Sequence, residues 1–159
     1  MNNIVPIRPE TKGVLHAAVA GDFLTMKVAN QMFGVPVLLV RDILAAQPLT
    51  RIPLASPEIA GVLNLRGRVI TAIDMRQRLG LPPRAPGART MSVVVERSGE
   101  LYSLIIESVG EVISLSDEIY KETPATVNPR WRSFCDGVYC LHGELLIALD
   151  IENLLDISK

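Results

Sequence analysis

The chain has 159 residues, of which 48% are hydrophobic and 21% are charged. This is the composition of a globular protein, and a chain of this length forms one domain or two small lobes that share a core. Its longest uncharged apolar runs, such as Val35–Val40, are far too short to span a bilayer. The composition therefore excludes a disordered chain and predicts no insertion into a membrane.

Charge is distributed unevenly along the chain, although the net charge is only −1. Residues 1–95 carry 11 Lys and Arg against 5 Asp and Glu, a balance of +6. Residues 96–159 carry 5 against 12, a balance of −7. A chain polarised in this way can meet partners of opposite charge at its two ends, although scattered solvated charge explains the same numbers.

The N-terminal part begins with a tail and continues with two strands. The apolar stretch within residues 1–20 is only about seven residues long and contains His16, which makes a poor export signal. We therefore expect a partly ordered tail there. Residues 22–29 alternate between two faces as a strand does, and Asn30-Gln31 then turns the chain into a second strand at 32–35.

A helix is predicted after these strands. Pro36 suits the first turn of a helix because its missing N–H would have no partner there anyway. Pro48 ends this helix after Gln47, and residues 49–54 form a short strand that Pro53 marks as an edge. The residues that follow at helical spacing are Val37, Val40, Arg41 and Leu44.

The clearest signal in the sequence is an internal repeat. Residues 61–81 align without a gap with residues 137–157, at an offset of 76, and seven of 21 positions are identical. Each copy predicts a hairpin followed by a short helix, and the first hairpin turns at Arg66-Gly67. Asp74 and Asp150 should cap these helices, because an aspartate at that position accepts hydrogen bonds from unpaired helical N–H groups.

A weaker echo at an offset of 69 relates the earlier parts of the two halves, so that each half contains about five short strands. In the second half, Ser98-Gly99 is a strong signal for a two-residue hairpin turn. Five twisted strands with one hydrophobic face close into a small barrel, and we expect two barrels side by side with a groove between them. A single domain would cover residues 21–157, with lobes at 21–81 and 91–157 joined by a Pro- and Gly-rich linker at 82–90.

Little in the sequence points to catalysis, and we expect no cofactor and no metal. No phosphate-binding loop and no nucleophile elbow of standard spacing occurs. Cys135 and Cys140 are too few for a disulfide framework or a four-ligand metal site, and buried structural thiols in a reducing compartment explain them best. A small enzyme that uses one of them with His142 is the alternative, and it predicts a reactive thiol of low pKa.

Arginines cluster in the middle of the chain. The segment that contains them has no aromatic residue for base stacking and the chain is slightly acidic, so we expect no nucleic acid partner. The forked donor group of arginine favours protein contact instead. Arg66 is the best candidate for an anchor, because it lies on a tight turn at a barrel end. Six arginines fall within 24 residues: Arg66, Arg68, Arg76, Arg78, Arg84 and Arg89.

The motifs of the chain resemble those of the CheW family of bacterial chemotaxis coupling proteins. Residues 61–67, which read GVLNLRG, followed by Ile73-Asp74 and Arg76, are similar to the signature of that family. Flanking motifs agree in order, and the resemblance covers residues 21–157. The chain departs from the usual family pattern at Thr71 (where proline is common), Asp42 (glutamate) and Glu107 (aspartate).

This resemblance implies a mostly β fold of two SH3-like five-stranded barrels packed side by side, with short connecting helices. It implies a non-enzymatic cytoplasmic adaptor at membrane-associated receptor arrays, which couples the signalling tips of chemoreceptors to the regulatory domain of the histidine kinase CheA. Family members join that kinase in rings, so self-association is also implied. The alternative within the fold is a coupling protein of another receptor–kinase pathway, such as twitching motility.

The resemblance also assigns residues to the two partners. For Val37 and Leu44, core packing is an equal alternative, because an amphipathic helix needs an inward face. The residues implied for kinase contact are Asp42 and Arg66. Those implied for receptor contact are Val37, Val40, Arg41, Leu44, Arg66 and Val109.

Overall fold

The computed structural model describes residues 21–115, 120–121, 128–141 and 143–157, and these residues are mostly in β-strands. Two short α-helices, α1 (Met75–Leu79) and α2 (Ile151–Leu154), and two 3₁₀ helices, Val37–Leu39 and Pro129–Phe134, connect the strands. The strands are β1 (Gly21–Val28), β2 (Gln31–Pro36), β3 (Val40–Ala45), β4 (Ile59–Leu65), β5 (Arg68–Asp74), β6 (Met91–Arg97), β7 (Glu100–Ile106), β8 (Ser108–Leu115), β9 (Tyr120–Lys121), β10 (Cys135–Leu141) and β11 (Glu144–Leu149).

The strands form two sheets, each of which takes strands from both halves of the chain. Sheet I has the order β8-β1-β2-β11-β10-β9, and sheet II has the order β3-β6-β7-β5-β4. Sheet I with α2 and sheet II with α1 are the two lobes. They are not the consecutive segments 21–81 and 91–157 that we predicted, because the two halves exchange their first hairpins, β1–β2 and β6–β7. A sequence repeat shows which segments are alike, but it does not show which of them pair.

The pairing register confirms the repeat itself. The parallel pair β5–β7 places Thr71 opposite Tyr102, and the parallel pair β11–β2 places Ile147 opposite Phe33. Thr71 and Ile147 are separated by 76 residues, and Phe33 and Tyr102 by 69. These are the two offsets found in the sequence, so each lobe is built around the same central pair of strands.

Tight turns with positive φ angles join the hairpins. Arg66 and Gly67 have φ angles of 53° and 82°, and Ser98 and Gly99 have φ angles of 52° and 81°. Both turns lie where the sequence predicts them. Two consecutive positive φ angles match the right-handed twist of the flanking strands. The hairpin β1–β2 has its turn at Ala29-Asn30, one residue earlier than the predicted turn at Asn30-Gln31.

The two aspartate caps are confirmed. The Asp74 carboxylate accepts a hydrogen bond from the Arg76 N–H at 3.0 Å, and Asp150 accepts one from the Asn153 N–H at 3.3 Å. Each aspartate precedes the first residue of its helix. The repeated aspartates therefore serve local structure, as their position in the repeat predicts.

The predicted helix up to Gln47 is wrong, because the chain forms a single 3₁₀ turn and then strand β3. Side chains along β3 are alternately half-buried and exposed, which is the period of a strand, and β3 pairs with β6. Val40 and Ile43 are β-branched, so the available partner strand outweighs the helical spacing. The predicted strand at 49–54 is also wrong, since only Thr50 forms a bridge there.

The hydrophobic core consists of three clusters. The largest, here called the central cluster, contains residues of both sheets, including Phe33 and Leu104. Each sheet also has a smaller cluster of its own on its other face, for example around Leu146 in sheet I and Ile70 in sheet II. Because strand side chains alternate between faces, each sheet contributes to two clusters, and the lobes share one core.

The sheets curl towards barrels but stay open among the residues that the structure describes. In sheet II, the Thr50 N–H just beyond β3 donates to the Val62 carbonyl of β4 at 2.8 Å. An ion pair between Asp42 of β3 and Arg66 at the end of β4 adds a second link between the outer strands. The mostly β, two-lobed architecture is therefore confirmed, with open rather than closed barrels.

Candidate functional site

The hairpin turn at Arg66 forms a rigid end of sheet II. The Gly67 N–H donates to the Asn64 side chain at 3.0 Å, which fixes the turn. Arg66 Nη1 lies 2.9 Å from Asp42 Oδ2, and Asp42 Oδ1 accepts a hydrogen bond from the Ile43 N–H at 2.8 Å. The structure thus brings together the two residues implied for kinase contact. The Arg66 side chain is still 73% exposed, which leaves most of it free for a partner.

Arg41, implied for receptor contact, is engaged within the chain. Its Nε donates to Glu96 at 2.9 Å, and its Nη1 donates to the Leu38 carbonyl at 2.7 Å. These bonds tie the 3₁₀ turn to strand β6. Arg41 is therefore placed to hold the turn in position, even though its side chain remains partly exposed.

Three of the implied receptor-facing residues pack against the central cluster that the two lobes share. Val37, Val40 and Val109 are half-buried and pack against the central cluster. Val40 and Val109 are equivalent in the repeat, and each lies at a register shift where its outer strand meets the neighbouring strand. Leu44 is not with them, because it packs against the separate cluster of sheet II. For Leu44, the core alternative fits the structure.

Leu38 is an exposed aliphatic residue that the sequence reasoning missed. Its side chain is 85% exposed on the 3₁₀ turn, next to Val37. The predicted helix concealed it, since only residues at helical spacing were assigned to a face. Pro36 is the signal for this turn in the sequence. The segment that it begins is too short to bury a second face, so Leu38 stays exposed.

Four other exposed aliphatic residues, all on strands, occur in equivalent pairs. Ile43 of β3 corresponds to Val112 of β8 at the offset of 69, and Val69 of β5 corresponds to Leu145 of β11 at the offset of 76. Each lobe therefore presents the same two apolar positions to solvent. Isolated exposed aliphatics are ordinary, but a set repeated on both lobes is typical of a surface that is used twice.

Arginines and a tryptophan join the lobes at their helices. Arg78 of α1 donates to the carbonyls of Leu154 and Asn153 in α2, at 2.6 and 3.1 Å. Trp131 Nε1 donates to the Leu79 carbonyl at the end of α1, at 2.9 Å. Each lobe thus satisfies carbonyl groups at the end of the other lobe's helix, which need partners outside the helix.

Glu107, at the crossing from β7 to β8, collects three donors. It accepts hydrogen bonds from the Ala29 N–H at 2.7 Å, from Arg76 at 3.2 Å and from Arg84. Burial favours a raised pKa for Glu107, but these donors outweigh it and lower the pKa below its usual range. Arg84 also bonds to Asp74, so the predicted linker is fixed to sheet II and to the crossing into sheet I.

Most of the arginine cluster is therefore internal structure. Arg76, Arg78 and Arg84 bond within the chain, and Arg66 pairs with Asp42. These bonds compensate much of the positive charge of the cluster within the chain. Only Arg68 and Arg89 of the six are exposed without a bond to another described residue.

A cavity of about 260 Å³ lies between the lobes. Arg97 of sheet II pairs with Glu152 of α2 across it, at 3.2 Å. Asp136 and Asp150 face it from sheet I. Burial, with the negative charge of Asp150 as a second cause, raises the pKa of Asp136 to about 6.

The two thiols lie in different environments. Cys135 is half-buried and Cys140 is exposed, so the prediction of two buried thiols is wrong for Cys140. Strand β10 turns Cys140 to solvent because its neighbour Tyr139 faces the core. His16 and His142 lie outside the described residues. Across the described ranges, no group of three or more His, Cys, Asp and Glu residues is arranged to hold a metal ion.

Comparison with known proteins agrees with this architecture. The family model for the CheW-like domain matches residues 22–159. The chain belongs to the CheW-like family. Among CheW relatives, the probable chemotaxis protein CheW of Rhizobium etli is 29% identical over 133 residues, which cover 84% of this chain and 86% of that protein. The chemotaxis protein CheW of Rhizobium meliloti is 28% identical over 145 residues, which cover 91% and 94%.

A solved CheW structure has the same fold. The crystal structure of the scaffolding protein TtCheW from Thermoanaerobacter tengcongensis superposes with a TM-score of 0.77 at 24% sequence identity. The match covers 87% of this chain and 94% of that one. In the part of the chain that the structure describes, no helix is long and apolar enough to cross a membrane.

Proposed function

We propose that this chain is a chemotaxis adaptor that couples the signalling tips of chemoreceptors to the histidine kinase CheA, at receptor arrays and without chemistry of its own. The observation that carries the proposal is the family signature turn at Asn64–Gly67. It is built as a rigid lobe end, on which Arg66 is held by Asp42 and is still largely exposed. The names of the relatives, chemotaxis protein CheW, and of the scaffolding protein with the same fold support the same function.

The receptor-facing surface in this proposal is the seam between the lobes. Val37, Val40 and Val109 line it, and Leu38 adds an exposed aliphatic side chain beside them. Arg41 acts indirectly, because it holds the Leu38 turn in place. A partner that buries an aliphatic side chain of this size gains roughly 1.5–3 kcal/mol for each one fully covered.

The kinase-facing surface in this proposal is the end of sheet II. Arg66 and Asp42 supply polar contacts there, and Ile43 and Val69 supply apolar ones. The equivalent aliphatic residues on sheet I would let that lobe take a second partner of similar shape, or another copy of this chain. Assembly into rings follows from two such ends on one molecule, because head-to-tail contacts close when the rotation between them allows.

Separate titrations test the proposal. The full chain is titrated with a receptor signalling tip and, independently, with the regulatory domain of CheA. We expect binding to both. If a folded chain binds neither partner, the proposal is overturned. If it binds the partners of a twitching-motility pathway instead, it is the adaptor of that pathway.

Leu38→Asp separates the two surfaces. It should weaken receptor-tip binding at least tenfold and leave kinase binding within twofold, because Leu38 lies on the seam and not at the end of sheet II. Val69→Asp is the matched control at the other surface and should have the opposite pattern. Equal effects of both variants on both partners would contradict the assignment.

A further inference from the structure

The loop at residues 51–56 carries the most exposed aliphatic residue in the described part of the chain. The Leu54 side chain is fully exposed, and Ile52 beside it is partly exposed. Leu54 has a φ angle of 66°, a left-handed conformation that a leucine rarely adopts. A strained backbone that holds an apolar side chain in solvent is typical of a contact site rather than of a structural loop.

A cavity of about 490 Å³ opens beside Leu54. Ile59, Ile73 and Tyr102 line it from sheet II, and Leu155 lines it from the C-terminal segment. In the same wall, Ser56 Oγ is buried without a hydrogen-bond partner among the described residues. A buried hydroxyl group without a partner is costly, so this wall is better suited to a complex than to the free chain.

The loop is not part of the surface that the two lobes share. The other exposed aliphatics of the strands have equivalents on the opposite lobe, but Ile52 and Leu54 do not. At offsets of 69 and 76, Ile52 corresponds to Lys121 or Asn128, and Leu54 corresponds to Thr123 or Arg130. This patch therefore has no counterpart on the other lobe.

Charges on opposite sides of the patch complement each other. Arg51 is exposed on the loop, and Asp156 is exposed on the far side of the cavity. Neither is in an ion pair with a described residue. One side of the patch thus offers an apolar protrusion with a positive charge, and the other side offers an apolar cavity with a negative charge.

We propose that this face is a two-fold self-association surface. Leu54 of each copy enters the cavity of the other copy, and Arg51 of each copy faces Asp156 of the other. A two-fold axis makes every contact twice. A patch that carries a protrusion beside its own complementary cavity can therefore pair with a second copy of itself. The patch is small compared with a standard interface of about 800 Å² per partner, so the dimer is weak and depends on concentration.

Sedimentation equilibrium of the full chain, from micromolar to millimolar concentration, tests this proposal. The average mass of the wild type should rise towards twice the monomer mass, and Leu54→Asp should stay monomeric. Leu54→Gly should also stay monomeric while its melting temperature is at least that of the wild type, since glycine adopts a φ angle of 66° without strain. Arg89→Ala, at an exposed residue that belongs neither to the loop nor to the cavity lining, is the control and should dimerise as the wild type does.

Charge reversal gives a second, independent readout. Arg51→Asp and Asp156→Arg should each weaken the dimer at least fivefold, and the double variant should restore it. A wild type that stays monomeric throughout, an associating Leu54→Asp, or a double variant without recovery overturns the proposal. If Leu54→Asp instead weakens binding to the receptor tip or the kinase domain, the patch belongs to that partner. The proposed adaptor function uses other residues, so it survives any of these results.

Discussion

The two lobes have the same central strand pairing but different charges at their ends. At the end of sheet II, Asp42 holds Arg66. The equivalent residues on sheet I are Glu111 and His142, and Glu144 stands where sheet II has Arg68. The apolar positions of the two ends are shared, because both sheets must pack in the same way. The comparison teaches that shared packing fixes the scaffold, while the turn charges allow the two ends to discriminate between partners.

Trp131→Ala has the largest expected effect, because it breaks the junction that joins the compared lobes. The ring is nearly buried, contacts Phe33 edge to face, and donates to the Leu79 carbonyl. We expect a loss of about 3–5 kcal/mol in the free energy of unfolding. Urea denaturation should still show one transition, since both lobes share the central cluster. Two separate transitions, or a loss below about 1 kcal/mol, would show that the lobes are independent.

Glu107→Gln should lower the free energy of unfolding by less than Trp131→Ala does. The amide keeps an acceptor but loses the charge that Arg76 and Arg84 surround, so we expect a loss of about 1–2 kcal/mol. The lowered pKa of Glu107 means that its contribution is present at neutral pH and is lost as the pH falls through the folded-state pKa. Urea denaturation at a series of pH values measures both the loss of stability in the variant and its dependence on pH.

The matched control for Glu107→Gln is Glu96→Gln, which removes a more exposed ion pair with Arg41. Exposed pairs contribute about 0.2–1 kcal/mol, so this variant should change little. Equal effects of the two variants would mean that Glu107 is only a surface charge.

Asp136→Asn tests the cavity between the lobes through the pH dependence of stability. The pKa of Asp136 is raised from 3.8 to about 6, so the folded state binds the proton more tightly than the unfolded state does. Its charged form therefore destabilises the fold, and wild-type stability should gain as the pH falls from 7 to 4, relative to the variant. NMR titration of the Asp136 carboxyl group checks the pKa directly. A value near 4 would contradict the account.

The sequence predicts the repeated parts of this molecule well. The aspartate caps and the hairpin turns at Arg66-Gly67 and Ser98-Gly99 depend on local chemistry, which is visible in the sequence. The exchange of hairpins between lobes depends on long-range pairing, which leaves no local signal. The error at Val40–Ala45 has the same origin, since the presence of strand β6 decides whether that segment becomes a helix or a strand.

The candidate site was predicted only in part. Arg66 and Asp42 do come together, as residues implied for one surface should. The resemblance implied receptor contact for Arg41 and Leu44 on a predicted helix. In the structure both lie on strand β3, where Arg41 holds a turn and Leu44 packs in a core cluster. Leu38 was missed because its exposure depends on the 3₁₀ turn.

In the proposed function, the lobe end at Arg66 serves partner binding and not folding. Titration of the CheA regulatory domain with wild type, Arg66→Ala and Arg68→Ala tests it most directly, with urea denaturation of each. We predict at least tenfold weaker binding for Arg66→Ala, near-normal binding for Arg68→Ala, and stability within about 0.5 kcal/mol of wild type for both. Normal binding by a folded Arg66→Ala, or its unfolding, would contradict the claim.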